Sequence, residues 1–342
     1  MDFELTATQQ AVADVATSVL DRDPSWPALV DGGVTALPVP ERLGGDGLGL
    51  PEVATVLTEI GRHGAITPAL ATLGLGVVPL LDVASEAQQD RYLAGVAKGG
   101  VLTAALNEPG TALPDRPATT LTGGRLSGTK VGVAYAGQAD WMLVTADSAV
   151  VVVSPKADGV RLAHTPTSNG SDEYTVTFAD VAVDDADVLA GAGDIGAHRI
   201  NQLALAVIGA YADGLVAGAL RLTADYVANR KQFGKPLSTF QTVAAQLSEV
   251  YIASRTIDLA AKAAVWRLSE GRDADADLDI LAYWIASEAP PAMQTCHHLH
   301  GGMGMDITYP MHRYYSTIKD LTRLVGGPSH RLELVGAQCS ST

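Results

Sequence analysis

Apolar positions change their period twice along the chain. In residues 2–20, Phe3, Leu5, Val12, Val15 and Leu20 recur at roughly helical spacing and predict an opening helix. Pro38, Val39, Pro40 and the glycines at 44, 45, 47 and 49 predict a loop, after which Pro51 opens a helix at its first position. That helix, 52–62, puts Val53, Val56, Leu57 and Ile60 on one face. The uncharged run 64–81 reaches the length of a membrane span. Pro68, Pro79 and the glycines at 64, 74 and 76 predict instead a buried helix pair with a break. Ser85 as a cap, with Gln88 three residues on, predicts a short helix over 85–93.

Beyond residue 100 the helical period stops. Gly123-Gly124 and Asn169-Gly170 are turn signals. Residues 131–133, 141–145, 149–153 and 174–178 read as strands, the last with clean alternation. No helical pattern separates them, which predicts an antiparallel barrel or sandwich and not a doubly wound sheet. Helical spacing returns in three long stretches, 195–229, 239–270 and 275–299, the last interrupted by Pro290-Pro291. In 239–270, Val243, Leu247, Val250, Ile257 and Leu268 fall mostly at threes, fours and sevens. Antiparallel packing of such helices gives a bundle. The expected architecture is therefore α+β and multidomain: an N-terminal α-helical domain (1–100), a middle antiparallel β domain (101–192) and a C-terminal helical bundle (193–342).

Composition narrows the function classes. The 342 residues carry 23 Lys plus Arg against 38 Asp plus Glu, a net charge of −15. Such a chain is repelled by DNA, RNA and anionic membrane surfaces, so no nucleic acid and no membrane are expected as partners. Two cysteines, Cys296 and Cys339, exclude a disulfide-stapled scaffold. With the acidic start Met1-Asp2-Phe3-Glu4, which has no basic segment before an apolar stretch, this points to the cytoplasm.

An acidic chain that binds a polyanion must gather its cations locally. Tyr226-Val227-Ala228-Asn229-Arg230-Lys231-Gln232-Phe233-Gly234-Lys235-Pro236-Leu237, followed by Phe240-Gln241, does so between two long helices. An Arg fork suits a pyrophosphate. Basic residues at a solvated helix C-terminus are the plainer alternative, since the helix dipole favours them there. Cys296-His297-His298-Leu299-His300 invites a metal reading, but no second Cys or His pair stands at a suitable spacing, and no metal is expected. Lys319 and Arg323 are candidates for a phosphate contact or for a solvated helix face, and Trp141 and Trp266 for the core.

The order of the zones, together with three motifs, resembles the acyl-CoA dehydrogenase family of flavoproteins. The motifs are Ala36-Leu37-Pro38-Val39-Pro40-Glu41-Arg42-Leu43-Gly44-Gly45-Asp46-Gly47, the Arg230-Lys231-Gln232-Phe233-Gly234 turn, and His300-Gly301-Gly302-Met303-Gly304-Met305 followed by Tyr309-Pro310. The resemblance spans essentially the full chain. It implies FAD as cofactor, an acyl-CoA as substrate and an electron-transfer flavoprotein or similar acceptor as partner. It assigns Arg230, Gln232, Phe233 and Gln241 to FAD held largely by a neighbouring subunit, with His298, Gly301 and Gly302 against the same cofactor.

The departures from the family pattern are equally specific. The family's reaction needs a carboxylate base beside the flavin. Its glutamate falls here on Val325 or Gly326, or, for the other family position, near Ala204. No catalytic residue is therefore assigned. The family's Gly-Ser-Asp is missing after Asn107-Glu108-Pro109-Gly110, and Lys130-Val131-Gly132-Val133-Ala134-Tyr135 departs from its flavin-ring segment. This resembles the shorter, glutamate-lacking subunits of α2β2 members that act on steroid side-chain CoA thioesters. Such a chain completes the FAD site of a longer partner that carries the glutamate. Two alternatives stay open: a self-sufficient homotetramer with a substitute base, and a non-catalytic acyl-CoA-binding scaffold.

Overall fold

The computed structural model describes residues 3–189 and 196–340, with side chains as far as 337. The first helix, α1 (Ala7–Leu20), starts five residues later than its period predicts. Thr6 closes a capping box with Gln9, and Phe3 and Leu5 lie exposed ahead of it. The inward face is Val12, Ala13, Ala16, Val19 and Leu20, which leaves Val15 outside. After α2 (Trp26–Asp31), the glycine loop folds tightly: a Cβ on Gly45 would stand 2.1 Å from the Val39 carbonyl oxygen. Helix α3 (Leu50–Arg62) begins just before Pro51, where Glu52 accepts the Gly49 N–H at 3.2 Å.

The buried helix pair expected across 64–81 forms without a break between its two members. Leu70–Val77 winds as a π-helix and runs straight into α4 (Val78–Val83). Proline has no N–H to give and crowds the preceding turn, and the wider winding accommodates both defects. Gly76 sits where a Cβ would stand 2.5 Å from Leu102 Cβ, so the first strand presses directly on this segment. Helix α5 (Glu86–Leu93) carries the expected Ser85–Gln88 box, and the Gln88 amide also donates to the Ala186 and Val188 carbonyls.

The strands are β1 (Leu102–Ala105), β2 (Thr120–Thr122), β3 (Arg125–Ala134), β4 (Trp141–Thr145), β5 (Val150–Val153), β6 (Val160–Thr165) and β7 (Glu173–Ala182). They form two sheets, ordered β1-β4-β5 and β2-β3-β7-β6. The second is antiparallel throughout, with Gly123 and Gly124 at φ 56° and 73° closing the β2–β3 hairpin. The first corrects the antiparallel expectation, because β1 pairs parallel with β4, Leu102 opposite Trp141. The chain leaves β1, builds β2 and β3 in the other sheet, and returns as β4. That detour serves as the crossover a parallel pair requires. Val133, Met142, Val144, Val151, Val176 and Phe178 belong to the apolar cluster of this zone.

The remaining helices are α6 (Gly196–Asn229), α7 (Gln241–Ser269), α8 (Asp275–Ser287), α9 (Ala289–His300), α10 (Met311–Leu324) and α11 (Gly327–Ser340). The expected start of α6 at Ile195 lies outside the described residues. Glu288 and the two prolines divide α8 from α9 as the sequence predicts, whereas α10 and α11 have no counterpart among the expected elements. Helix α6 is long and apolar enough to cross a membrane, but 89% of its most apolar window is buried in the protein. Its Gly214 meets α3 backbone to backbone: a Cβ there would stand 2.0 Å from the Thr58 carbonyl oxygen.

Candidate active site and cofactor surface

The cation-rich segment is a two-residue hairpin between α6 and α7. Lys231 and Gln232 pair with Pro236 and Lys235, and Phe233 and Gly234 turn at φ 52° and 79°. This is the twist a tight hairpin needs, with glycine in its second position. Arg230 ends the helix, its N–H donating to the Tyr226 carbonyl at 2.8 Å, and its own carbonyl accepts from Leu237 N–H at 2.9 Å. Arg230, Lys231, Gln232, Lys235 and Gln241 are exposed, and Phe233 is 91% exposed. Lys235 Nζ sits 4.4 Å over the Phe240 ring, itself edge-on to Phe233. Among the described residues, Arg230, Lys231 and Lys235 form no ion pair.

The structure brings the His-Gly-Gly segment to the same end of α6. Tyr226, one turn before Arg230, stacks on His300 at 4.5 Å. His300 is buried, with Nδ1 2.8 Å from the Cys296 carbonyl and Nε2 3.0 Å from the Tyr309 hydroxyl. Burial pushes the pKa of His300 and His297 down, so both favour the neutral ring. His298, Gly301 and Gly302 are exposed, and a Cβ on either glycine would meet nothing within 4 Å. Cations, amides and open backbone on one surface fit an anionic dinucleotide laid against the protein from outside. Burial raises the Cys296 thiol to about 11, which removes it as a nucleophile. Among the described residues no group of three His, Cys, Asp or Glu is placed to hold a metal.

Val325, Gly326 and Ala204, the positions expected to stand in for a catalytic glutamate, lie in packed protein. Val325 and Ala204 are fully buried, and Gly326 has φ 95° with Ala112 and His330 against it. The backbone around Val325 is pinned from both sides: Asn107 Nδ2 donates to the Leu324 carbonyl at 2.8 Å, and Arg331 Nε donates to the Val325 carbonyl at 2.5 Å. The surviving Asn107-Glu108-Pro109 core and Lys130 prove to be one structural device. Lys130 is fully buried, with Nζ 2.9 Å from Glu108 Oε1. Burial pushes the Glu108 carboxyl up, but the Ala118 and Thr119 N–H groups, the Thr119 hydroxyl and Lys130 outweigh it and hold it at about 2.

A cleft with about 90 Å³ of room for water-sized groups lies between the helices and the β zone. Leu70, Leu75, Leu106, Ile208, Leu321 and Leu324 are among its apolar walls, and Glu173 is in its polar wall. Arg323, weighed above as a phosphate contact, instead donates from Nη2 to Glu173 Oε2 at 2.5 Å, across Gly132. Lys319 is exposed, with Nζ 4.9 Å over the Tyr315 ring. Trp141 and Trp266 are only half-buried. Sequence reasoning missed Glu173, Asn107 as a clamp, Arg331, and the stacking of Tyr226 on His300. The Asn107 and Glu173 contacts span 217 and 150 residues, which no local spacing marks, whereas Arg331 reaches the Val325 carbonyl only six residues away.

Residues 4–100 match the acyl-CoA dehydrogenase N-terminal domain, and residues 199–338 match the acyl-CoA dehydrogenase C-terminal domain. The chain is 80% identical over 342 residues to the acyl-CoA dehydrogenase FadE28 of Mycobacterium tuberculosis, covering 100% of both. Among solved structures, the ChsE4–ChsE5 complex from the same organism superposes with a TM-score of 0.91 at 28% identity, over 100% of this chain and 100% of that chain. A Tcur3481–Tcur3483 steroid ACAD variant gives 0.88 at 28% identity, over 98% and 99%. The family matches at both ends agree with sequence and fold over the whole length, and the chain belongs to the acyl-CoA dehydrogenase family of oxidoreductases.

Proposed function

We propose that this chain is the shorter, non-catalytic subunit of a heterotetrameric acyl-CoA dehydrogenase. Its longer partner carries the catalytic glutamate and the flavin-ring contacts, and the complex introduces an α,β double bond into a CoA thioester. The observation that carries the reading is a contrast: the cation hairpin stands open, while Val325, Gly326 and Ala204 offer no base where the family keeps one. FAD, when bound, supplies the acceptor for the β-hydride. This chain's own contribution is to bind and orient. Arg230 supplies charge to the pyrophosphate, Gln232, Phe233 and Gln241 lie along the dinucleotide, and Gly301 and Gly302 beside His298 let the backbone approach it closely.

The substrate we assign is a steroid side-chain acyl-CoA, specifically the three-carbon side chain of a 3-oxo-4-pregnene-20-carboxyl-CoA, in cytoplasmic cholesterol breakdown. Two observations support the class: one similar structure is that of a steroid ACAD, and another is a complex of two different chains. An electron-transfer flavoprotein is the proposed acceptor. The rival reading, a self-sufficient homotetramer with a substitute base, has one observation in its favour, the Glu173 carboxylate in the cleft.

The flavin-to-chain ratio separates the two. The heteromer predicts little flavin on this chain alone and about one FAD per two chains on co-expression with a longer homologue. One FAD per chain and turnover from this protein alone would establish the rival.

A further inference from the structure

We infer that Tyr226, His300 and Tyr309 are positioning residues for the cofactor: they form a clasp that holds the 301–308 loop in register with the Arg230 hairpin. The inference rests on the proposed cofactor surface and concerns how its two halves are kept together. Arg230 stands at the end of α6, whereas Gly301 and Gly302 follow α9. The tie between them is aromatic. Tyr226, one turn ahead of Arg230, stacks on His300 with ring centres 4.5 Å apart and planes 26° apart. His300 is 2% exposed, and the Leu222 carbonyl of α6 faces the same ring.

The chemistry of the ring sets the direction of each bond. A carbonyl can only accept, so His300 Nδ1 donates to the Cys296 carbonyl at 2.8 Å. Burial outweighs the Cys296 and Leu222 carbonyls and keeps the ring neutral. Nε2 then carries a lone pair and accepts from the Tyr309 hydroxyl at 3.0 Å. That bond closes the 301–308 loop at its base. Every residue of the loop is exposed except Gly304, where a Cβ would stand 3.1 Å from the His297 carbonyl oxygen. The Asp306 N–H donates to the Met303 carbonyl at 3.2 Å, and the Thr308 N–H donates to the Asp306 carboxylate at 2.8 Å. These two bonds shape the loop without attaching it to a helix. A buried histidine held between tyrosines of two elements supplies the attachment, and so sets where the Gly301 and Gly302 backbone lies relative to Arg230.

Two measurements test the clasp. On the full-length chain, Tyr309→Phe removes the hydroxyl and keeps the ring. Amide exchange of Asp306 and Thr308 should quicken by roughly two- to tenfold, the worth of one hydrogen bond. Unchanged exchange there overturns the inference with no cofactor involved. In the complex co-expressed with a longer homologue, flavin release is followed by absorbance. Tyr309→Phe and Tyr226→Leu should release flavin at least about threefold faster. Tyr226→Phe keeps the stack and should match the parent. A lowered thermal midpoint with an unchanged release rate would make the clasp merely structural and would refute the positioning role. Arg230→Ala tells the two levels apart. Faster release there, with parental release in both clasp variants, removes the clasp alone; parental release in Arg230→Ala removes the cofactor reading and the clasp with it. Should Tyr226→Leu not fold, Tyr309→Phe carries both measurements.

Discussion

The C-terminal ends of α6 and α10 are built in opposite ways. At the C-terminus of α6 the hairpin from Lys231 to Pro236 is held by its own turn geometry and by Tyr226 on His300, and its charged side chains reach into solvent. At the end of α10 the segment around Val325 is buried, clamped by Asn107 and Arg331, and backed by the Glu108–Lys130 pair. One region is finished only by something outside the chain. The other is finished by the chain itself and leaves no room for an acid. The difference teaches that a surface open to a ligand and a closed, self-satisfied segment can stand at the ends of neighbouring helices, because ordinary packing completes the second and not the first.

Changes on the closed side should cost the most stability. Lys130→Met leaves Glu108 buried without its cation, which costs about 3–5 kcal/mol. The pH sign follows from the depressed carboxyl. Its contribution is full above about pH 5 and fades as the pH falls toward about 2. The stability deficit of Lys130→Met, read from urea midpoints, should therefore be largest near neutral pH and shrink as the pH falls toward about 2.

Helix α6 joins the two regions and tests them from the middle. Burial and the neighbouring Asp258 raise Asp213 to about 7, with Arg62, Lys262 and Arg255 opposing. The folded chain then keeps a proton that the unfolded chain gives up near pH 4, so stability falls as the pH rises from about 4 to 7. Asp213→Asn should gain about 1–3 kcal/mol at pH 8 and little at pH 4, read from urea midpoints at the two pH values. An equal effect at both would show that Asp213 is already ionised in the fold.

On the open side the effects should move from stability to binding. Arg230→Ala should leave the chain's thermal midpoint nearly unchanged. The flavin off-rate from the co-expressed complex should rise by at least about tenfold, the order expected for losing a charged contact to phosphate. A stability loss without flavin loss would reverse the comparison. The smallest expected effect is on turnover by Val325→Glu alone, which should be none. An acid restored at a clamped, fully buried position still lacks the flavin-ring contacts, and measurable dehydrogenation by that variant would refute the division of labour.

The helical zones and the split at Pro290-Pro291 were legible because period and punctuation are local. So was the cation hairpin, whose glycine and proline dictate its turn. The start of α1 was misplaced because apolar spacing says nothing about where a cap closes, and Thr6 with Gln9 decides that. The break expected within 64–81 is absent because π winding absorbs Pro79, and the apolar pattern does not distinguish the two windings. The parallel β1–β4 pair was hidden because pairing direction depends on the path between strands.

What the sequence determined by itself is the set of local commitments: where helices run, where the chain turns, and which residue types stand at the family's motifs. It also determined the absence of a carboxylate at Val325, Gly326 and Ala204, since no fold can supply a proton acceptor that the side chain lacks. Tertiary structure alone decided the rest. It made Glu108 and Lys130 a buried brace, set Arg323 on Glu173, stacked Tyr226 on His300, and left one carboxylate oxygen without a donor. Those pairings join residues 22 to 150 positions apart, and contact over such separations is fixed only when the packed core brings the elements together.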